Sequence, residues 1–282
     1  MLTYHNKKEL QIKLDQLKSE HKTIGFVPTM GALHQGHLTL VKHGLTRTDT
    51  VVVSIFVNPT QFDNQDDLKK YPRTLDRDVA LLKTVSKNII VYAPSPEDIY
   101  DNAVNSETFD FDGLENEMEG AFRTGHFDGV GTIVKKLFEA VKPHEAYFGE
   151  KDFQQLQIIK KLVDKYHIDV KVVGCKIHRE ANGVAMSSRN ERLSDNLKKE
   201  ASFIFKSLNT AKEIYKTKSA NEVTKLITKH FKNHALLELE YFIIADEATL
   251  KTVKRKSKQK TYRAFIAVYA EGIRLIDNIA LN

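Results

Sequence analysis

The sequence predicts an α/β protein, in which a parallel sheet covered by helices comes first and a smaller α+β domain follows. As far as Cys175, short β-rich runs alternate with helical patterns, which is typical of a parallel sheet with helices on both faces. The run Val51–Val57 is almost unbroken apolar sequence, as expected for a strand buried on both faces. Beyond Cys175, helical patterns precede the strands instead. We therefore expect one domain at residues 1–176 and another at residues 177–282.

Five strands are expected in the first domain, each a short β-branched or apolar run: Thr23–Val27, Thr50–Val57, Ile89–Ala93, Glu145–Phe148 and Val170–Gly174. Helices are expected where apolar residues recur at helical spacing, as Val134, Leu137 and Val141 do. These helices are Lys7–Glu20, His37–Arg47, Leu75–Lys87, Gly131–Val141 and Phe153–Tyr166.

The second domain is expected to contain two helical stretches, Asp195–Lys218 and Ala220–Asn233. Three strands should follow them, at Leu237–Ala245, Thr261–Ala270 and Gly272–Asp277. Glu271-Gly272 suits a hairpin turn between the last two strands.

Composition places the chain among soluble globular proteins, since its mean hydropathy is −0.39. No apolar stretch approaches the roughly 18 residues of a membrane span. Met1–Lys8 lacks the apolar core of a signal peptide, so we expect a cytoplasmic location. The 43 Lys and Arg residues exceed the 37 Asp and Glu residues, giving a net charge of +6. This surplus suits an anionic substrate as well as it suits nucleic acid. The densest basic run, Lys254–Lys260, has no interleaved aromatic residue, which favours a solvated hairpin loop over a nucleic-acid surface.

Cys175 is the only cysteine, which excludes an intramolecular disulfide and a metal site built from cysteines. It ends the apolar run Val172–Cys175, so a buried strand cysteine is a better interpretation than a nucleophile.

Polar, non-periodic segments directly follow four of the predicted strands, at Pro28–His37, Asn58–Phe62, Gly149–Asp152 and Lys176–Arg189. Ligands of open parallel sheets bind beyond the carboxyl ends of the strands. We therefore expect these segments to converge on one binding crevice.

The element His34-Gln35-Gly36-His37 stands between a predicted strand and a predicted helix. Two imidazoles at this spacing share one side of a helical turn. Beside the unpaired N–H groups of a helix start, they form a phosphate-binding arrangement. Histidine pairs at this spacing also arise incidentally, but the strand-to-helix position favours function.

Four further segments carry polar groups that have both functional and structural interpretations. Asn58 and Gln61 can read the hydroxyls and carboxylate of a small acid, although Asn58-Pro59 also suits an ordinary turn. Lys151 can direct an ammonium at a helix start, where Asp152 also suits an N-cap, and Gln155 is expected on the same helical face as Lys151.

Ser187, Ser188 and Arg189 can wrap a triphosphate or simply cap a helix. Arg123, within Gly120–Phe127, can face an anion or pair with a surface carboxylate. The sequence has no Walker A pattern and no zinc-ligand spacing.

Taken together, these motifs resemble the pantothenate synthetase (pantoate–β-alanine ligase) family, within the nucleotidyltransferase superfamily. The matching stretches follow the family order almost from end to end: Val27–His37, Val53–Phe62, Tyr71–Arg73, Gly125–Phe127, Phe148–Gln155, Met186–Asn190 and Arg274–Asn278. One position departs from the family pattern, because His178 stands where a small apolar residue is usual.

The resemblance implies ATP-dependent condensation of (R)-pantoate with β-alanine through a pantoyl-adenylate. Mg²⁺ is expected to bridge the ATP phosphates, as hard cations do. It also implies a Rossmann-like N-terminal domain, a C-terminal lid domain and a homodimer. The implied catalytic residues are His34, His37 and Lys151. The implied ATP-binding residues are Met30, Gly31, Ala32, Leu33, His34, Gln35, Gly36, His37, Gly149, Glu150, Lys151, Asp152, His178, Met186, Ser187, Ser188 and Arg189. Gln61, Gln155, Asn58 and Arg123 are the implied substrate-binding residues, with Glu119 also near the β-alanine site.

Other functions remain as alternatives. Another nucleotidyltransferase would share the histidine element but not the acid pocket suggested by Asn58, Gln61 and Gln155. An aminoacyl-tRNA synthetase would need more chain for tRNA binding. A basic nucleic-acid-binding module would explain the charge but not the polar segments at the strand ends. We therefore expect no nucleic-acid or membrane partner.

Overall fold

The computed structural model describes residues 1–62, 65–100 and 103–282. The chain divides into two compact units. The first comprises Met1–Glu150 and Gln154–Lys176, and the second comprises Lys151–Phe153 and Ile177–Asn282.

The first unit is built on a six-stranded sheet with the order β1-β4-β3-β2-β5-β6. All its neighbouring strands are parallel. The strands are β1 (Leu2–Tyr4), β2 (Ile24–Thr29), β3 (Thr50–Ile55), β4 (Ile89–Tyr92), β5 (Glu145–Gly149) and β6 (Lys171–Cys175). This arrangement confirms the predicted parallel sheet, and β1 is an additional edge strand. It was not predicted because Leu2 and Thr3 are exposed and form no apolar run.

The helices of the first unit are α1 (Lys7–Ser19), α2 (Gln35–Leu45), α3 (Gln65–Lys70), α4 (Leu75–Lys83), α5 (Pro96–Tyr100), α6 (Met118–Phe122), α7 (His126–Val141) and α8 (Phe153–Lys165). Helix α2 begins two residues before the predicted His37, because His34 already occupies the N-cap position. Helix α7 also begins earlier than the predicted Gly131, and it contains Gly129 and Gly131. Both glycines meet close neighbours there, so packing overrides their low helix propensity.

Burial in the first unit agrees with the apolar strand pattern. Residues Val51–Ser54 of β3 are buried, as the prediction of a strand covered on both faces requires. Cys175 is buried at the end of β6, and burial raises the pKa of its thiol to about 11. The interpretation of Cys175 as a buried strand cysteine is therefore confirmed.

The second unit contains a three-stranded antiparallel sheet formed by β7 (Glu238–Asp246), β8 (Tyr262–Ala270) and β9 (Ile273–Ala280). Its helices are α9 (Asp195–Glu200), α10 (Ser202–Tyr215) and α11 (Ala220–Lys232). The stretch predicted as one helix is thus divided at Ala201. Glu271 and Gly272 have φ values of 47° and 76°, which suits a two-residue hairpin turn between β8 and β9.

The basic run Lys254–Lys260 lies exposed between β7 and β8, as predicted for a solvated loop. Its Lys260 pairs with Asp246 at 3.0 Å. Within the described ranges, no helix is long and apolar enough to cross a membrane.

Candidate active site

The loop Met30–His37 joins β2 to α2 and contains the histidine element. Gly31 and Ala32 have positive φ values of 83° and 49°, so the main chain turns sharply there. The buried carboxylate of Asp78 on α4 holds this turn. It accepts hydrogen bonds from the main-chain N–H groups of Ala32 at 3.0 Å and Leu33 at 2.8 Å. The loop conformation is therefore fixed by a side chain outside the motif.

His34 and His37 face each other at the start of α2. Their ring centroids lie 4.0 Å apart, and the His34 main-chain N–H donates to His37 Nδ1 at 3.3 Å. Because Nδ1 accepts this bond, a neutral His37 carries its ring proton on Nε2. A proton on Nε2 can be donated to an anionic oxygen. The partly positive helix start favours such an oxygen at the same place.

The other loop residues differ in what they can contribute. Gln35 is exposed in the first turn of α2, and Gly36 follows it. Leu33 is 2% exposed with its side chain in the core, so only its main chain can serve a ligand. The predicted ATP-binding residues from Met30 to His37 thus form one continuous loop of the first unit, within which Gly31 and Leu33 are buried.

Asn58 and Gln61 follow β3, the strand beside β2 in the sheet. Asn58 is 1% exposed, and its Nδ2 donates to Gln61 Oε1 and to Gly129 O, each at 3.2 Å. The buried Tyr100 hydroxyl donates to Asn58 Oδ1. These bonds direct the Gln61 NH₂ group toward Met30, whose Sδ lies 2.9 Å from Gln61 Nε2. The predicted acid pocket and the histidine loop therefore meet at this edge of the sheet.

Arg123 and His126 hold the main chain of Gln61. Arg123 Nη2 donates to Gln61 O at 3.2 Å, and His126 Nδ1 donates to the same oxygen at 2.9 Å. Arg123 Nη1 lies 3.1 Å from His126 Nε2, so this ring nitrogen accepts and Nδ1 carries the proton. Arg123 thus belongs to a hydrogen-bonded cluster with His126 and Gln61.

Three of these residues were not predicted from sequence, namely Asp78, Tyr100 and His126. Asp78 could have been found from the sequence. It lies on the helical face of α4 shared by Leu75, Val79 and Leu82, where an apolar residue is expected. A charged residue at such a position needs buried partners. Tyr100 lacks a comparable signal, because its partner Asn58 is 42 residues away in sequence. His126 lies within the family-matching stretch Gly125–Phe127, but nothing local in the sequence indicates its contact with Gln61 O, 65 residues away.

The glutamine pair on α8 divides into a buried and a half-buried side chain. Gln154 is 4% exposed and donates to Leu114 O and Glu117 O, while its Oε1 accepts from the Glu119 main chain. Gln155 is half-buried. The prediction that Lys151 shares a helical face with Gln155 is wrong, because Lys151 lies in a 3₁₀ turn, Glu150–Asp152, before α8.

The second unit contains its own polar pocket, lined by Lys151, Ser187, Arg189, Asn190, Arg274 and Asp277. Three predicted phosphate-binding residues, Lys151, Ser187 and Arg189, are thus together in this unit. Ser187 Oγ also accepts from the Arg189 main chain at 3.3 Å, so the capping interpretation of this loop is observed as well. Asn190, which was not predicted, supports the loop by donating to Ala185 O at 3.1 Å.

The remaining predicted residues are divided between the two units. Gly149 ends β5 and is paired with Cys175, and Glu150 follows it in the first unit. Asp152 lies 3.7 Å from the Lys151 ammonium. Met186 donates its main-chain N–H to His178 O at 3.0 Å, which joins the backbone of His178 to the loop Met186–Arg189. Among the residues that the structure describes, no group of three or more His, Cys, Asp or Glu side chains is arranged to hold a metal ion.

Comparison with known proteins gives consistent matches over the whole chain. The family model described as pantoate-beta-alanine ligase matches residues 2–280. A pantothenate synthetase of Flavobacterium psychrophilum is 60% identical over 282 residues, covering 100% of both chains. One from Christiangramia forsetii is 55% identical over the same length, again covering 100% of both chains.

Solved structures of the same description share the fold. The crystal structure of pantothenate synthetase from Thermus thermophilus has a TM-score of 0.90 at 35% identity, covering 100% of this chain and 99% of that chain. Pantoate-beta-alanine ligase from Francisella tularensis, solved in complex with beta-gamma ATP and beta-alanine, has a TM-score of 0.78 at 34% identity. That match covers 100% of this chain and 98% of that chain.

Proposed function

The chain belongs to the pantoate–β-alanine ligase family, and we propose that it carries out this ligation with ATP, through a pantoyl-adenylate. In the first step, a pantoate carboxylate oxygen attacks the α-phosphorus of ATP, and pyrophosphate leaves. In the second step, the neutral amine of β-alanine attacks the acyl carbon and AMP leaves. The Francisella tularensis relative, solved in complex with beta-gamma ATP and beta-alanine, supports the choice of nucleotide.

The first step needs no protein nucleophile and no strong base. A carboxylic acid has an ordinary pKa of about 4, so the pantoate carboxylate is ionised at neutral pH. The enzyme must instead align the reactants and stabilise negative charge as it shifts through the phosphates. We assign charge stabilisation to His34, His37 and Lys151. A preorganised donor of this kind is typically worth about 10²–10³ in rate.

Pantoate recognition is assigned to Gln61, Gln155 and Asn58. The contacts around Gln61 support this role, because Asn58 fixes the Gln61 amide and two donors fix its main chain. A fixed amide offers one donor and one acceptor face to the hydroxyl and carboxylate groups of pantoate. We assign Arg123, with Glu119 nearby in sequence, to the region that receives β-alanine. Because Arg123 donates to Gln61 O, it would connect the pantoate site to the β-alanine site.

The remaining ATP contacts are assigned to main-chain groups and to the second-unit pocket. The nucleotide would be contacted by Met30–His37, Gly149–Asp152, His178 and Met186. The leaving phosphates would be contacted by Ser187, Ser188 and Arg189. Arginine suits this position since its fork matches two phosphate oxygens. We treat Mg²⁺ as part of the ATP substrate, because phosphate oxygens are ligands that this hard cation prefers.

One observation carries the proposal: the Gln61 amide lies 2.9 Å from Met30, so the acid pocket adjoins the histidine loop. An assay for AMP release tests it directly, with ATP, pantoate and β-alanine supplied singly and together. We expect AMP and pantothenate only when all three are present. We also expect pantoate without β-alanine to support exchange of labelled pyrophosphate into ATP. An absolute requirement for β-alanine in that exchange would argue against the adenylate.

The family resemblance also leads us to propose a homodimer in the cytoplasm. Light scattering of the purified protein should give twice the mass of one chain, and a monomeric mass would refute the dimer. Localisation of a tagged chain tests the compartment.

A further inference from the structure

Strand β9 carries two buried polar residues that the proposed chemistry does not use. Asp277 is 5% exposed and Asn278 is 2% exposed. Both lie in the motif Arg274–Asn278, near the pocket of the second unit. Buried polar side chains need specific partners, so their contacts indicate what they hold in place.

The Asn278 side chain connects the main chain of Lys151 to Arg263. Asn278 Nδ2 donates to Lys151 O at 2.9 Å, and Asn278 Oδ1 accepts from Arg263 Nη1 at 2.6 Å. A guanidinium has only donors, so the amide oxygen must face Arg263 and the NH₂ group must face Lys151. The amide orientation is therefore determined, and it selects a contact with the Lys151 carbonyl.

Arg263 holds the same short segment at a second point. Its guanidinium lies 4.0 Å from the ring centroid of Phe153, and its Nε donates to Glu247 Oε1 at 2.8 Å. Phe153 is buried and its ring lies 5.9 Å from that of Phe265. The turn that carries Lys151 is thus held at its carbonyl by Asn278 and, two residues later, at the Phe153 ring.

Asp277 fixes the strand end from which Asn278 projects. Arg179 makes a two-pronged contact with the Asp277 carboxylate, at 2.6 and 2.9 Å, and the Asn278 main-chain N–H donates to Asp277 Oδ1 at 2.7 Å. Burial raises the pKa of Asp277, whereas the charges of Arg179 and Lys151 act to lower it. The main chain of Asn278 is therefore held in place by hydrogen bonds.

We propose that Asn278 is a positioning residue for Lys151. Its amide sets the main chain of the lysine so that the ammonium is presented to the pocket lined by Ser187 and Arg189. This inference rests on the proposed function, in which Lys151 contacts the ATP phosphates. A displacement of about 1 Å at such a group can cost about 100-fold in rate.

Asn278→Asp is the direct test. The variant keeps an oxygen for Arg263 but places a second oxygen, which cannot donate, against Lys151 O. Asn278→Ser shortens the side chain so that it reaches neither partner, and it serves if the aspartate variant fails to fold. Asn282→Asp is the matched control, because Asn282 Nδ2 donates to Lys260 O at 3.1 Å and its Oδ1 accepts from Tyr262 at 2.8 Å.

We expect Asn278→Asp to lower kcat by about 10- to 100-fold, with KM for pantoate within about twofold of wild type. Asn282→Asp should leave both constants unchanged. A kcat for Asn278→Asp and Asn278→Ser equal to that of Asn282→Asp would overturn the inference. Wild-type turnover is measured in the same assay, so a wild-type enzyme that makes no pantothenate would instead refute the proposed function.

A double-mutant cycle shows whether the effect passes through Lys151. ATP binding is measured by calorimetry for the wild type, Asn278→Asp, Lys151→Ala and the double variant. A positioning role predicts that Asn278→Asp weakens ATP binding in the wild-type background but adds nothing to Lys151→Ala. An equal weakening in both backgrounds would mean that Asn278 acts on the pocket independently of Lys151.

Discussion

Replacing Gly129 with alanine tests whether close packing of α7 against the turn Pro59–Gln61 shapes the acid pocket. A Cβ atom at Gly129 would lie 2.3 Å from Thr60 O and 2.8 Å from Gln61 Cα. Ordinary contact begins at 3.4 Å, so the Thr60 carbonyl would have to retreat by about 1 Å. Because this is main chain, no side-chain rotation can relieve the clash.

The expected change in stability comes from three opposing contributions. Alanine is favoured over glycine inside a helix by about 1 kcal/mol. Overpacking costs about 1–3 kcal/mol, and loss of the bond from Asn58 to Gly129 O costs about 1 kcal/mol more. The net expectation is a destabilisation of about 1–3 kcal/mol, opposite in sign to the effect of helix propensity alone.

Thermal unfolding and steady-state kinetics measure the two consequences. We expect a lower melting temperature and a KM for pantoate raised by about tenfold or more, because a turn displaced by about 1 Å misplaces Gln61. Gly131→Ala is the control in the same helix, since the atoms nearest to its Cβ would belong to the side-chain rings of Phe109 and Phe111, at 3.0 Å, and not to main chain. A Gly129→Ala protein with raised stability and normal KM for pantoate would refute the reasoning.

Four other variants test the roles assigned to single side chains. His37→Ala and Lys151→Ala are each expected to abolish pyrophosphate exchange while leaving melting curves unchanged, and near-normal turnover by either folded variant would disprove its role. Asp78→Asn can satisfy only one of the two loop N–H groups that the carboxylate now binds, so KM for ATP should rise by about tenfold, and an unchanged KM would contradict its loop-holding role. Hydrogen bonding from Arg47 lowers the pKa of Glu145 to about 2, so their pairing adds stability above the ordinary carboxyl pKa of 4.5 and loses it as the pH falls toward 2. Urea unfolding of Arg47→Gln should therefore show a cost at pH 7 that shrinks between pH 5 and pH 2, and a constant cost would exclude this linkage.

The parallel sheet could be predicted because its signal is local. Alternating apolar and helical segments appear in the sequence itself, and β3 is an apolar run covered on both faces. The edge strand β1 lacked that signal since two of its residues are exposed. The early start of α7 was missed for a different reason: Gly129 and Gly131 disfavour a helix locally, and only the packing partners of each glycine explain them.

In the candidate site, too, the features with a local sequence signal could be predicted and those that depend on distant contacts could not. Loops that follow strands could be assigned from sequence, so Met30–His37 and Asn58–Gln61 were found together at one sheet edge. The side chains that hold those loops could not, because Asp78 and Tyr100 act across 42 to 46 residues of chain. The helical-face argument for Lys151 failed because three residues of 3₁₀ turn precede α8.

The grouping of Lys151–Phe153 with the second unit has a consequence for protein engineering. A fragment that begins at Ile177 would lack Phe153, whose ring is now covered by Arg263 and Phe265. Such a fragment would expose apolar core surface and would also lack the lysine. The second unit is therefore not a module that can be cut out or exchanged at one point of the chain. A chimaera between two relatives would have to transplant the tripeptide and the C-terminal segment together.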